Sequence, residues 1–539
     1  MGEENRTILF QKNTVEYADT SYFGKLILDY LGEKEELKPF YNGFPSLKEF
    51  ELRMQGRSSF PDSQRKVLHE VLQDQYKGLE ISSKSSDSMH KLLSSNSFTV
   101  ATGHQLCLFT GPLYFLYKIA GIIRQAEELN KVFPASHIVP VFWMATEDHD
   151  FEEVNHAHIQ ASTVQWETES GAAVGKLLLK DVQKSIQDLS NLIGIGDRQN
   201  ELIQLFKRCY KSSNTLAQAT RALVNELFGE YGLLIVDGDD ARLKRSMIPV
   251  FRSELETNTG FKAIEKQSEK LSAQYSSQAY PREINLFYLT SNGRFRLEKN
   301  GDSFVALGSD FVFTPKEIFD ELEHFPERFS PNVLLRPLYQ ETILPNLAYT
   351  GGGGELAYWF QLKELFDQFE TPFPLLLLRN SFLWIQKSAA KKRQKAKLHI
   401  EELFKSSNEL IENKIKEDSN FDFRLSQYVE RLELIFDELG ELSLETDMSM
   451  QTAVAAQRQK QMKGLDNLKK KLLRAEKRKA NDLVSRIECL EKALFPKGQL
   501  QERYANWVDF YLAYGSEFIE VLIENSDFLN FKFSVLEEQ

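Results

Sequence analysis

Cysteine is scarce in this chain: three residues in 539, at positions 107, 209 and 489. Their wide spacing builds neither a disulfide framework nor a paired-cysteine zinc site, and it suits a reducing compartment. Long apolar runs are missing too. No stretch approaches the roughly 18–20 residues of a membrane-crossing helix, so no membrane association is expected. The opening residues, MGEENRTILF, carry charge and no apolar leader core, so a cytoplasmic location is expected. Basic charge is in deficit. Lys and Arg number 66 against 78 Asp and Glu, a formal net charge of −12. A general nucleic-acid binder works by neutralising phosphates, so no nucleic-acid partner is expected.

Apolar residues make up 42% of the chain, with 39 Phe and 19 Tyr. That is ample for large cores, and the length suggests about three or four units. Residues 1–95 read as a mostly helical part of the core: FPSLKEFELRM (44–54) has an N-cap Ser46 before an apolar stripe, and SQRKVLHEVLQDQY (63–76) repeats the pattern. Residues 96–386 read differently. Phe98–Ala101 is a short strand, Leu113–Leu129 a helix, and HIVPVFWMA (137–145) a near-continuous apolar run of the kind buried on both faces of a parallel sheet. Strand, helix and strand make a βαβ unit. GLLIVDGDD (232–240) adds a buried strand, and FPLLLLRNSFLWI (373–385) reads as the last one. Two insertions are expected, at about 156–230 (short strands, then two helical stretches) and 280–310, where Asn292-Gly293 and Asn300-Gly301 signal hairpins. Residues 387–500 read as a coiled-coil arm. Leu465, Leu468, Leu472 and Ala475 follow helical spacing, Leu483, Ile487, Leu490 and Leu494 resume it, and an eleven-residue step lies between. The stretch 388–440 is the expected antiparallel partner. Residues 501–539 read as a helical tail. The fold class is therefore α/β, a Rossmann-like parallel sheet with insertions and a C-terminal helical coiled coil.

In such sheets, ligands bind beyond the carboxyl ends of the strands. The first strand ends in Thr102, Gly103, His104 and Gln105, and the second in Glu147, Asp148, His149, Asp150 and Asn155. The third ends in Asp237, Asp239 and Asp240. The fourth region supplies Arg336, Gln340, Glu341, Gly351–Gly354, Glu355 and Tyr358. MATEDHDFEEVNHAH (144–158) holds five carboxylates and three histidines. It reads as a polar substrate site, as a metal centre, or as a capped helix with a solvated face; no zinc-ligand spacing matches it. YTGGGGELAYW (349–359) opens a helix on four glycines, which suits an anion or simply a tight turn. Arg336, inside an apolar run, needs an anionic partner, either substrate or an internal carboxylate. Cys107 reads better as a buried thiol than as a nucleophile.

Four blocks, TGHQLCLFTGPLYFLYK (102–118), PVFWMATEDHDFEEVNH (140–156), SPNVLLRPLYQETILPNLAYTGGGGELAYW (330–359) and LFPKGQLQER (494–503), together resemble the BshC family of bacillithiol biosynthesis. The resemblance implies a Rossmann-like core with connecting-peptide insertions, similar in shape to class I aminoacyl-tRNA synthetases. It implies a coiled coil that makes a homodimer. The implied reaction joins L-cysteine to the amine of glucosaminyl-malate, through ATP activation with Mg²⁺ as an accompanying ion and no resident metal. On that reading Asp148, His149 and His104 are catalytic. Thr102, Gly103, Gln105, Gly352 and Gly353 face the acyl group or its phosphate. Glu147, Asp150 and Asn155 take the ammonium, Arg336 takes the malate carboxylates, and Gln340, Glu355 and Tyr358 complete the binding surface. Two rival classes stand beside it: a nucleotide-binding dimeric scaffold, and a nucleotidyl transferase acting on another acid.

Overall fold

The structure, a computed structural model, describes residues 9–539 apart from 170, 172, 420 and 446. At its centre is a five-stranded parallel sheet. Its strands are β1 (Ser97–His104), β2 (His137–Met144), β3 (Leu234–Asp237), β4 (Asn346–Gly351) and β5 (Leu375–Leu378), in the spatial order β5-β4-β1-β2-β3. Every residue of β1 is buried, and only the first of β2 is partly exposed, as two covered faces require. Pro140 is tolerated in this central strand because the ladder to β3 starts one residue later, at Val141. Helix α1 (Tyr114–Val132) returns from β1 to β2 with little solvent contact along its first three turns.

The second insertion is a five-stranded antiparallel sheet that includes the hairpins Leu286–Thr290/Gly293–Asn300 and Gly293–Asn300/Ser303–Ala306. The Asn-Gly signals found both turns, each displaced by one residue. Gly293 opens a strand and Asn300 closes one. In the first insertion three helices stand where two were expected, because Gly194-Ile195-Gly196 divides Val182–Ile193 from Asp197–Cys209. The run at 330–341 differs more. Strand-like by composition, it is strand only to Pro331 and then turns into helix α2 (Arg336–Ile343). Pro337 suits the first helical turn, and the Asn332 side chain accepts from the N–H groups of Leu334 and Leu335. Helix α3 (Gly353–Trp359) follows β4.

FPLLLLRNSFLWI is two strands rather than one. Leu375–Leu378 edges the parallel sheet. Phe382–Ile385 joins a separate sheet with Phe10–Val15 and Phe533–Glu538. So the first part of the chain is not wholly helical and the tail is not purely helical: the two ends of the chain pair antiparallel. The break falls at Arg379–Ser381, where Arg379 meets buried Glu502 at 2.6 Å. The arm is an intramolecular hairpin of α4 (Phe421–Leu444) and α5 (Met448–Lys479), tied by Arg458–Asp437 at 2.6 Å. The eleven-residue step falls where α5 ends, at Ala480. No described helix is long and apolar enough to cross a membrane.

Candidate active site

A cavity of about 390 Å³ opens beyond the carboxyl ends of β1 and β2. Gly103, His104 and Gln105 form one wall, Glu147 and Asp148 a second, and Arg336, Glu355 and Tyr358 a third. The antiparallel sheet covers it with Arg294 and the segment Pro331–Val333.

Its innermost feature is a buried ion pair. Lys118 of α1 reaches Glu355 Oε1 at 2.5 Å and donates to Gly103 O at 2.8 Å. Glu355 also accepts from Tyr349 OH at 2.6 Å and from its own helix's N-cap amide, Gly352 N–H, at 3.0 Å. Burial alone raises a carboxyl. Here the Lys118 charge and the hydrogen bonds outweigh it and hold Glu355 at about 2. Burial likewise pulls Lys118 down, against the attraction of Glu355.

His104 packs between Tyr114 and Phe115, with ring centroids 5.2 and 5.1 Å away. Its Nδ1 lies 2.9 Å from Gln105 O. A carbonyl only accepts, so Nδ1 carries the hydrogen in the neutral ring. Burial, then the nearby Lys118, depress its pKa to about 3. It is therefore neutral near pH 7 and a weak proton acceptor.

Asp148 lines the cavity and accepts from Gln105 Nε2 at 2.7 Å and from His149 N at 2.8 Å. The His149 ring is half-exposed, its Nδ1 3.6 Å from Asp148, and it does not line the cavity. Glu147 is bound by Lys244, which is fully buried and also touches Asp239 at 3.2 Å and Glu327 O at 3.0 Å. Burial lifts the Glu147 carboxyl above its usual range against the pull of Lys244.

Other expected residues lie elsewhere. Thr102 donates to Thr350 O at 2.7 Å and stitches β1 to β4. Gln340 bonds Glu341 at 3.0 Å, within a buried network in which Arg57 meets Glu341 at 2.7 Å. Asp150 caps the short turn Phe151–Val154, and Asn155 is buried behind it. None of these four lines the cavity. Gly352 and Gly353 line a second cavity, of about 370 Å³, together with Arg379 and Arg503. The turns at 102–105 and 351–354 thus do not share one pocket. Burial pushes Cys107 up to about 12, as suits a buried thiol. Among the described residues no His, Cys, Asp and Glu side chains gather in a metal-holding group.

Sequence reading missed Lys118, Lys244 and Arg294. Lys118 had a signal: a lysine four residues after Tyr114, on a helix otherwise apolar on that side. Arg294 sits in an ordinary alternating strand and had none.

A Rossmann-like sheet with a charged cavity beyond its strand ends is the architecture of a doubly wound α/β protein whose ligands bind at the carboxyl edge. Residues 10–380 match the family described as "Bacillithiol biosynthesis BshC, N-terminal Rossmann-like domain", and residues 382–538 match "Bacillithiol biosynthesis BshC, C-terminal coiled-coil domain". The chain belongs to the BshC family. Curated relatives named "Putative cysteine ligase BshC" include one from Flavobacterium johnsoniae, 43% identical over 97% of this chain and 99% of its own. Another, from Christiangramia forsetii, is 44% identical over 97% and 98%. A third, from Cytophaga hutchinsonii, is 36% identical over 96% and 97%. A solved structure titled "putative arginyl t-RNA synthetase" from Campylobacter jejuni overlays 86% of this chain and 97% of its own at 8% identity and a TM-score of 0.21. An overlay that loose carries no argument.

Proposed function

We propose that this chain is the cysteine ligase of bacillithiol biosynthesis and joins L-cysteine to the amine of glucosaminyl-malate. The observation that carries the reading is near-full-length similarity to relatives named as cysteine ligases. A charged cavity of about 390 Å³ at the strand ends supports it. ATP, as co-substrate, supplies the activation of the cysteine carboxylate. The acceptor amine then attacks the activated carbonyl carbon. The C–N bond forms, the activating group leaves with the carbonyl–oxygen bond pair, and the amine gives up a proton. In this reading Asp148 takes that proton; its lining of the cavity and its hydrogen bond from Gln105 support the assignment. His104, held neutral, positions the turn rather than moving the proton. Glu147 and Asp148 attract the substrate ammonium, and Arg336 the malyl carboxylates.

The glycine turn fits a phosphate of ATP poorly on the side of this cavity. Gly352 N–H is taken by Glu355, and its neighbours face the second cavity. No step is therefore routed through those amides, and Mg²⁺ enters only as the counter-ion of the nucleotide. The homodimer belongs to the same proposal: Leu434, Leu442 and Leu472 of the arm are exposed, which suits burial by a second arm.

The test is mass spectrometry of the purified chain with L-cysteine, glucosaminyl-malate, ATP and Mg²⁺, omitting each in turn. Bacillithiol together with AMP is expected only from the full mixture. Absence of bacillithiol from that mixture overturns the reading.

A further inference from the structure

Two cations at or beside the main cavity already have anionic partners. Lys118 is held by Glu355, and Lys244 by Glu147 and Asp239. Arg294 and Arg336 differ. Among the described residues neither forms an ion pair, yet both line the cavity, on either side of Pro331–Val333.

Each is fixed in place without being neutralised. Arg336 donates from Nη1 to Gln340 Oε1 at 3.0 Å, and its guanidinium lies over the rings of Trp143 and Tyr349 at 5.9 and 5.6 Å. Its Nη2 is buried and makes no hydrogen bond of good geometry, although the Tyr358 hydroxyl lies close to the guanidinium. Arg294 lies over Phe287 at 4.1 Å and donates from Nε to Ser330 Oγ at 3.1 Å and from Nη2 to Pro331 O at 2.9 Å. The acid facing Arg336 is Glu355, already held by Lys118, and those facing Arg294 are Glu147 and Asp148. Glu147 is taken by Lys244, and Asp148 accepts from Gln105 and from the His149 amide. A buried guanidinium with an unused donor is costly unless something completes its shell. The planar fork of Arg matches a carboxylate in a two-bond geometry that Lys cannot reproduce.

We infer that Arg294 and Arg336 together form a two-anion subsite that reads both carboxylates of a malyl group, with Arg294 delivered by the antiparallel insertion. The identity of the malyl group rests on the ligase reading; the two-anion site rests on the arginines alone. The insertion thereby sets acceptor specificity, and a glycoside carrying one carboxylate is a poor substitute.

Calorimetry on the full chain tests this with L-malate, L-lactate and glucosaminyl-malate as probes. L-malate is expected to bind more tightly than L-lactate. R294Q and R336Q should each weaken malate and glucosaminyl-malate about tenfold or more, with R294K and R336K recovering only part, as loss of a two-bond fork implies. The KM for L-cysteine should stay unchanged in R294Q, a split that general loosening of the fold would not give. Thermal unfolding identifies any variant that fails to fold, and for such a variant the lysine exchange carries the test. Equal binding of malate by wild type and R294Q, or of malate and lactate by wild type, overturns the subsite. A chain that binds malate through both arginines but makes no bacillithiol keeps the subsite and loses the ligase reading. A chain that makes bacillithiol with R294Q unaltered does the reverse.

Discussion

At the scale of single residues, burial decides the chemistry of this site more than residue type does. His104 sits on the strand-end turn where a general base would be sought, yet its surroundings hold its pKa at about 3. The ordinary histidine value is about 6.5. The unfolded chain therefore binds the extra proton first, and His104 costs stability as pH falls from about 6.5 towards 3. H104Q should flatten the stability-against-pH curve in that window, measured by urea unfolding at a series of pH values. An unchanged slope would place the ring in water. Glu355 acts in the same sense over a lower pH range. Its carboxyl is depressed to about 2, so the stability it contributes is complete above about 4.5 and is lost as pH falls through 2. E355Q should remove that acid-side loss and, by leaving Lys118 buried without its anion, cost on the order of 2–3 kcal/mol at pH 7.

At the scale of elements, two ties hold the strand ends in position, and both come from far along the chain. Lys244 joins the loop after β2, through Glu147, to the loop after β3, through Asp239. Replacing it with Met leaves Glu147, nearly out of solvent, without its cation, while Asp239 keeps Lys176 at 2.7 Å. K244M should lose about 3–5 kcal/mol in denaturant unfolding. A loss below 1 kcal/mol would mean that water reaches the pair. The second tie holds the segment after the TGHQ turn. Phe109, Thr110 and Gly111 all have positive φ, at 51°, 69° and 68°, and for the first two that conformation is strained. Asn506 Nδ2 donates to Phe109 O at 3.2 Å and to Gly111 O at 2.6 Å, and Trp507 Nε1 donates to Phe109 O at 3.0 Å. N506A removes buried donors from two carbonyls and should cost about 2 kcal/mol. It should also lower bacillithiol formation, because the segment begins four residues after Gln105 and anchors the turn that carries it. Full activity with the stability loss would confine Asn506 to a structural part.

At the scale of the whole molecule, the arm stands out for the apolar surface it leaves exposed. Leu434 and Leu442 are 61% and 56% exposed, which is unusual for leucines of a long helix hairpin. If a second arm covers them, light scattering on the wild type should give about twice 62.2 kDa, and L434E/L442E should give the monomer mass. A monomeric wild type would leave the hairpin as a purely internal coil. The two chain ends also meet, Phe10–Val15 against Phe533–Glu538. The C-terminal segment is thereby built into the core rather than trailing from it.

Much of this was legible from residue order, because the signals were local. Apolar runs marked the parallel strands, the spacing of Leu465, Leu468 and Leu472 marked the arm, and polar clusters after β1 and β2 marked the mouth of the cavity. Other features depended on contacts between distant segments. FPLLLLRNSFLWI has one composition throughout, and only the Arg379–Glu502 pair divides it between two sheets. SPNVLLRPLY has the composition of a strand, and the Asn332 turn with Pro337 winds its second half into a helix. Thr102, Asn155 and Gln340 look like site residues by position, and packing turns them inward. Local pattern by itself determined the α/β class, the arm and the edge of the sheet where chemistry lies, since periodicity and turn chemistry act over a few residues. Which charges are spent on one another, and that Arg294 and Arg336 at the cavity form no ion pair among the described residues, only the tertiary structure decided. Burial and ion pairing are properties of segments that meet hundreds of residues apart.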